Sequence, residues 1–201
     1  KRNKKEYERL SDHIGLIPLV MISPADIELI TGASEGRRRF MDIAISQFDK
    51  EYLRALVRYN KALQQRNALL KMDDNLIDDT LLKIWEEQMV EAGEQIHSKR
   101  KQFIDKFTPI FNDFYKLVST SNENVSFEYV SQLSDDSFES KLIENRRREM
   151  AIGHTTVGVH RDELEMLLDG YPITKVGSQG QNKTYFVAIK LAQFDYLRTK
   201  G

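Results

Sequence analysis

The sequence contains no cysteine, which removes disulfide cross-links, thiol chemistry and thiolate metal sites together. A reducing, cytoplasmic setting is expected. Long apolar runs are missing too: none approaches the ~20 residues needed to cross a bilayer, and no signal-peptide pattern follows Lys1. The chain is therefore expected to be soluble, with no membrane partner. An excess of charge of either sign is also lacking. The 30 Lys and Arg residues face 31 Asp and Glu, for a formal net charge of -1. Bulk electrostatics thus neither demand nor exclude nucleic acid, and only local patches could hold a phosphate backbone. The histidines His13, His97, His154 and His160 show no metal-ligand spacing, so no metal site is expected. No Ser-His-Asp set or carboxylate pair follows from spacing, and no catalytic residue is assigned.

What is present suffices for a core: 40% of the 201 residues are hydrophobic, enough for one large domain or two small ones. The apolar run Ile17 to Ile22, stopped by Ser23-Pro24, predicts a buried strand. From Gly36 to Lys71 the spacing turns helical, with Phe40, Ile43, Phe48, Leu53, Leu56, Tyr59, Leu63 and Leu70 on one face, a break near Asp49, and Arg54, Arg58, Lys61, Gln65 and Arg66 on the solvated side. After the acidic turn Asp73-Asp74-Asn75 a second long helix is predicted from Leu76 to Val118, its stripe running through Leu81, Ile84, Gln88, Ala92, Ile96, Phe103, Phe107 and Phe114. Pro109 should kink or restart it, because proline lacks the helical amide. Two such helices joined by a few polar residues run antiparallel, as an arm.

A strand over Ser126 to Val130, a helix from Ser137 to Ile152 stopped by Gly153, and a hairpin turning at Asp169-Gly170 follow. The loop Gly177 to Gln181 opens a last helix reaching Leu197. This reading divides the chain into 1–35, 36–152 and 153–201. Both ends read as internal: no methionine opens the chain, and Gly201 closes a strongly helical stretch.

The sequence Gly177-Ser178-Gln179-Gly180-Gln181 carries the most chemistry. A small, glycine-containing loop at a helix N-terminus offers free amides and a positive dipole end to an anion such as phosphate. An ordinary N-cap accounts for the same five residues. The basic clusters Arg37 to Arg39, Lys99 to Lys101 and Arg146 to Arg148 could contact phosphates, or could be the solvated faces of amphipathic helices. Trp85, Phe103, Phe107, Phe111 and Phe114 fit a helix core.

The 177–181 loop is similar to the signature motif of ATP-binding-cassette ATPases in its Ser-x-Gly-Gln form. The stretch Pro24 to Asp42, with Gly32, the Arg37-Arg38 pair, Phe40 and Asp42, resembles the RecF family of recombinational-repair ATPases; it departs at Ala25, where an acid is usual, and at Ser34, where proline is usual. Tyr59 to Lys71 is similar to that family's arm helix, and Gly158-Val159-His160-Arg161-Asp162-Glu163-Leu164 to its Gly-Pro-His-Arg-Asp-Asp-Leu stretch. The four stretches stand in order over nearly the whole chain.

The resemblance implies a mixed α+β part of an α/β cassette-ATPase head, its second lobe with an antiparallel helical arm. It implies that Ser178, Gln179, Gly180 and Gln181 meet ATP held by a second head, that Pro24 and Asp26 lie in a Q-loop-like turn, and that His160, Arg161 and Asp162 couple nucleotide state to the arm or form a structural turn. Arg37, Arg38, Lys99, Arg100, Arg146 and Arg147 are the DNA-contact candidates. The implied partners are double-stranded DNA at single-strand gaps, RecR, and a second copy in an ATP-dependent homodimer that promotes RecA loading. ATP and Mg are the implied cofactors of the complete protein. Neither a Gly-x-x-x-x-Gly-Lys-[Ser/Thr] phosphate loop nor an aliphatic run ending in Asp-Glu occurs in these residues, so the chain alone is expected not to turn over ATP. Two alternatives stand beside this reading: a helical interaction module without nucleotide chemistry, and an SMC-type head, whose coiled coil would exceed the span from Gly36 to Gly153.

Overall fold

The computed structural model describes residues 19–72, 78–134 and 137–200. Its elements are a 3₁₀ turn Pro24–Ile27, helices α1 Glu28–Thr31, α2 Ser34–Ser46, α3 Lys50–Leu69 and α4 Asp79–Val118, strand β1 Val125–Val130, helix α5 Phe138–Ile152, a 3₁₀ turn Val159–Arg161, strands β2 Glu163–Leu168 and β3 Tyr171–Pro172, and helices α6 Ile173–Val176 and α7 Gln179–Lys200. The three strands form one sheet in the order β1-β2-β3. The architecture is mixed and mostly helical, as expected. None of the helices is long and apolar enough to cross a membrane among the described residues.

The chain divides into two compact units. The first gathers residues of 1–50, 103–128 and 165–201, the second 51–102 and 129–164. This grouping is not linear in sequence: most of α2 and the later part of α4, within the 36–152 segment, belong to the first unit.

The first unit is built on aromatic packing. Phe40 from α2 sits edge-on to Phe107 of α4 at 5.7 Å, and Phe111 lies 4.6 Å from Phe127 of β1 and 4.7 Å from Tyr185 of α7. Such tilted arrangements suit the ring quadrupoles. The hairpin closes where expected: Leu168 pairs with Tyr171, and Asp169 and Gly170 take the positive φ values 50° and 81° that a two-residue turn demands. Leu164, Met166 and Leu168 are buried on one side of β2.

The second unit packs α3 antiparallel to α4, since Arg66 meets Glu86 while Tyr52 meets Arg100. Gly93 lets Phe138 of α5 approach, for a Cβ there would lie 2.7 Å from the ring. Helix α5 is capped at both ends: Ser137 accepts from the Ser140 amide, and Gly153 ends the helix at φ 71°.

Several expectations need correction. Leu19 to Ile22 form no strand, and Leu19, Met21 and Ile22 are exposed; the main-chain amide of Leu19 bonds the Gln47 side chain rather than a neighbouring strand. Residues Ile17 and Pro18, His13 and the turn Asp73-Asp74-Asn75 lie outside the described residues. Pro109 sits inside α4 without restarting it. Thr108 beside it donates its hydroxyl to Ile104 O at 2.8 Å. The buried stripe of α3 runs Tyr52, Ala55, Tyr59, Ala62 and Arg66, leaving Leu53, Leu56 and Leu63 half-buried. On α4, Leu82, Glu86 and Met89 face inward where Leu81 and Ile84 were expected. The large aliphatics flank a face whose centre is taken by tyrosine rings and a buried charge network.

Candidate functional site: the turn at the start of α7

Gly177 leads into the turn with its amide on Ile173 O at 2.8 Å. No larger residue fits, because a Cβ would fall 2.6 Å from Asn182 Oδ1 and 2.7 Å from Ile173 O. Ser178 and Gln181 then form a reciprocal capping box. The Ser178 amide donates to Gln181 Oε1 at 2.7 Å, and the Gln181 amide donates to Ser178 Oγ at 3.2 Å. The pattern Ser-x-x-Gln was legible in the sequence as a capping signature.

Ser178, Gln179 and Gly180 are exposed, and Gln181 is half-buried. The box uses the amides at 178 and 181, and Asn182 donates to Ser178 O. Gln179 and Gly180 occupy the first turn of the helix, where amides have no intrahelical acceptor. At exposed positions the turn therefore leaves a serine hydroxyl proton and two first-turn amides without helical acceptors, a donor set that suits phosphate oxygens.

Behind the turn lies a contact that sequence reading missed. Gln181 Nε2 donates to Glu123 Oε1 at 2.7 Å, and the Tyr115 hydroxyl donates to Glu123 Oε2 at 2.5 Å. The Tyr115 and Gln181 bonds hold the Glu123 carboxyl below its ordinary value, while burial, and next the bond to Glu123, push the Tyr115 phenol upward. Tyr115 is anchored in the core against Tyr185, whose own hydroxyl donates to Ser126 O at 2.8 Å. Nothing in the spacing of Tyr115, Glu123 and Gln181 announces this contact, which joins the end of α4 to a loop and to α7.

Asp26 belongs to the same unit. Its carboxylate accepts from the Ser23 amide and pairs with Lys190 of α7, each at 3.2 Å. Lys190 also lies over the Phe186 ring, 5.4 Å from its centre. Pro24 opens the 3₁₀ turn that carries Asp26, so this turn is tied to the helix that begins at the capping box.

His160, Arg161 and Asp162 sit in the second unit. Carbonyl Thr155 O can only accept, so His160 Nε2 carries the proton that reaches it at 3.2 Å, and Nδ1 accepts from Tyr59 Oη at 2.8 Å. Asp162 is buried; it accepts from Arg100 Nη1 at 3.0 Å and from the Tyr129 hydroxyl. Burial raises its carboxyl above the usual range, while the Tyr129 bond and the Arg100 charge pull the other way. His160 and Asp162 thus hold the Val159–Arg161 turn to α3 and α4.

The basic candidates separate. Arg100 is 2% exposed and bonds Tyr52 Oη, Val159 O and Asp162. It is corrected from a DNA-contact candidate to a structural cation, since a buried, paired guanidinium has no reach to a phosphate backbone. Arg146 is partly exposed and pairs with Glu86, whereas Arg147 and Arg148 on the same helix are exposed. Arg37 bonds Gly32 O at 2.8 Å; Arg37, Arg38 and Lys99 are half-buried. Among the described residues no cluster of His, Asp and Glu could hold a metal ion.

Over all 201 residues the chain is 56% identical to the DNA replication and repair protein RecF of Phocaeicola vulgatus, and 57% identical to that of Bacteroides fragilis. Over its whole length the chain is similar to RecF. It spans about half the length of these curated relatives, 54% of each. A solved structure of the recombination mediator RecF-ATPrS in the RecFOR pathway matches 96% of this chain and 55% of its own, with 28% identity and a TM-score of 0.89. A second, of RecF-ATP, matches 90% of this chain and 51% of its own, at 30% identity and a TM-score of 0.83. No family model matches the chain.

Val159 and Glu163 stand where the resembled stretches have proline and aspartate, and Ala25 where they have an acid. Asp26, one position after Ala25, forms the ion pair to α7. Val159 is buried in the 3₁₀ turn and offers its carbonyl to Arg100. Glu163 caps its neighbour's amide, accepting from Leu164 N at 2.8 Å.

Proposed function

We propose that this chain serves in a DNA-binding ATPase of recombinational repair, as the part of a RecF head that meets ATP bound by a second copy. The single observation that supports this reading is the capped turn at Ser178–Gln181: Ser178, Gln179 and Gly180 are exposed, and the amides at 178 and 181 are used in the box, which leaves the Ser178 hydroxyl proton and the first-turn amides of Gln179 and Gly180 for a ligand. A phosphate brought by another molecule would complete those bonds at the positive end of α7. When bound, ATP supplies the transferable γ-phosphoryl group, and Mg would accompany it. Ser178 would orient a phosphate oxygen, and the Gln179 and Gly180 amides would bear on its charge. The carboxylate-bearing and lysine-bearing half of such a site is not among these residues, so the turn caps and does not hydrolyse.

The Asp26–Lys190 pair favours a Q-loop-like role for the 3₁₀ turn at Pro24, because it ties that turn to the capping helix. His160 and Asp162 read as positioning residues of the second unit, through which Arg161 would be displayed. Closure of two heads around ATP would clamp double-stranded DNA at a gap, with Arg37, Arg38, Lys99 and Arg147 as phosphate contacts, and with RecR recruitment and RecA loading downstream. In a full-length protein carrying this sequence, Ser178→Arg should abolish ATP-driven dimerisation, seen by analytical ultracentrifugation, while fluorescent-ATP binding persists. Normal dimers in that variant would refute the capping role.

A further inference from the structure

Gln181 is spent twice before any ligand arrives. Its Oε1 accepts from the Ser178 amide at 2.7 Å, and its Nε2 donates to Glu123 Oε1 at 2.7 Å. Both ends of the side-chain amide are thus engaged inside its own fold. Glu123 in turn is held at its other oxygen by Tyr115, which the aromatic core fixes through Tyr185 and Phe111. Asn124, the next residue, exchanges two bonds with Asp169 at the hairpin turn, at 2.8 and 2.7 Å. The carboxylate therefore sits on a loop fastened at both sides.

We infer that Glu123 is a positioning residue that locks Gln181 into the capping box, so that Ser178, Gln179 and Gly180, and not Gln181, present the donors to a nucleotide. The inference rests on the nucleotide-facing reading of the turn. It differs from the family expectation at one residue, since it moves Gln181 from ligand contact to internal support. The physical basis is preorganisation: donors fixed before binding lose no freedom on binding. A charged acceptor also makes the stronger anchor for the Gln181 amide.

The test uses full-length protein, with ATP as the ligand, and three variants. Glu123→Ala removes the anchor. Glu123→Gln keeps an acceptor oxygen in place. Tyr115→Phe frees one carboxylate oxygen but leaves the Gln181 bond. Glu123→Ala should weaken ATP-driven dimerisation about tenfold, one charge-assisted hydrogen bond's worth. ATP affinity of the monomer should be unchanged, while the melting temperature should fall modestly because the Tyr115 hydroxyl and the Gln181 amide lose their shared acceptor. Glu123→Gln should dimerise almost as the native protein does, and Tyr115→Phe should fall between. In nucleotide-free protein, amide hydrogen exchange at Ser178 should quicken most in Glu123→Ala, less in Tyr115→Phe and least in Glu123→Gln. Unchanged exchange at Ser178 would overturn the positioning role of Glu123. Faster exchange with native-like dimerisation in both Glu123→Ala and Ser178→Arg would instead overturn the nucleotide-facing reading, and the two failures are thereby told apart.

Discussion

Arg66 Nη1 donates to Glu149 Oε2 at 2.6 Å with neither side chain reaching solvent. The same guanidinium forks onto Glu86 Oε1 through Nε and Nη2 at 3.1 and 2.9 Å, and Nη1 also reaches Thr155 Oγ1 at 2.7 Å. Arg146 bonds the other Glu86 oxygen. Glu149 Oε1 accepts from the Thr156 hydroxyl at 2.9 Å and from its amide. Three helices and the segment after Gly153 thus converge on one buried cation. Charges removed from water this completely are tolerable only where each is paired and hydrogen-bonded.

Removing the cation leaves the buried Glu149 without its ion-pair partner and Glu86 with Arg146 alone. Arg66→Met should therefore destabilise the protein by about 3–5 kcal/mol, the usual consequence of breaking a buried pair from one side. Urea denaturation followed by circular dichroism measures it. A double variant, Arg66→Met with Glu149→Gln, should recover part of the loss; equal or greater loss in the double variant would contradict the pairing.

Asp162 offers a pH test. Burial raises its native pKa above the value of about 3.9 for an unfolded aspartate. Between those two values the native state binds more protons than the unfolded chain, so this group's contribution to stability declines as pH rises through that interval and stays at its lowest above it. Tyr129→Phe deletes a bond that pulls the pKa down, and should move the titration of Asp162 still higher. Carboxyl-carbon NMR reads both values, and an Asp162 midpoint at or below the unfolded value would contradict the dominance of burial.

Gly158 has φ 123°, and a Cβ there would stand 2.4 Å from Tyr59 Oη and 2.7 Å from Phe138 Cζ. Gly158→Ala should cost about 1–3 kcal/mol from backbone strain, with a further roughly 1–3 kcal/mol from overpacking. It should also break the Tyr59–His160 bond. Thermal unfolding checks the first effect. The second appears as changed chemical shifts of the His160 ring by NMR.

Exposed and buried arginines should separate in DNA-binding assays on the full-length protein. Arg147→Ala should weaken binding to duplex DNA of any sequence and reduce the slope of log affinity against log salt by about 0.9, the value for one phosphate contact. Arg100→Ala should instead lower the melting temperature, because it strands Asp162 in the interior. A normal salt slope in Arg147→Ala removes that residue from the interface.

The hairpin, the capped α5 and the break between α2 and α3 were legible because each depends on neighbours in sequence. Asp169-Gly170 supplies the positive φ pair, Ser137 and Gly153 punctuate their helix, and Gln47 to Asp49 interrupt a helical pattern. The capping box at Ser178 and Gln181 is equally local. Glu123 was not legible: it meets Gln181 across 58 positions, and an isolated glutamate in a polar loop carries no periodic signal. Arg66 was placed on the solvated side because arginine is rarely buried, although it stands four residues beyond Ala62 on the buried stripe.

Local order therefore followed from spacing and turn chemistry, which act over a few residues whatever surrounds them: helix period, caps, the hairpin turn and the phosphate-suited loop. Which charges lie inside was settled by tertiary packing alone. Arg66 and Arg100 could leave water only because Glu86, Glu149 and Asp162 arrive from distant segments to pair with them, and no short-range pattern encodes that meeting.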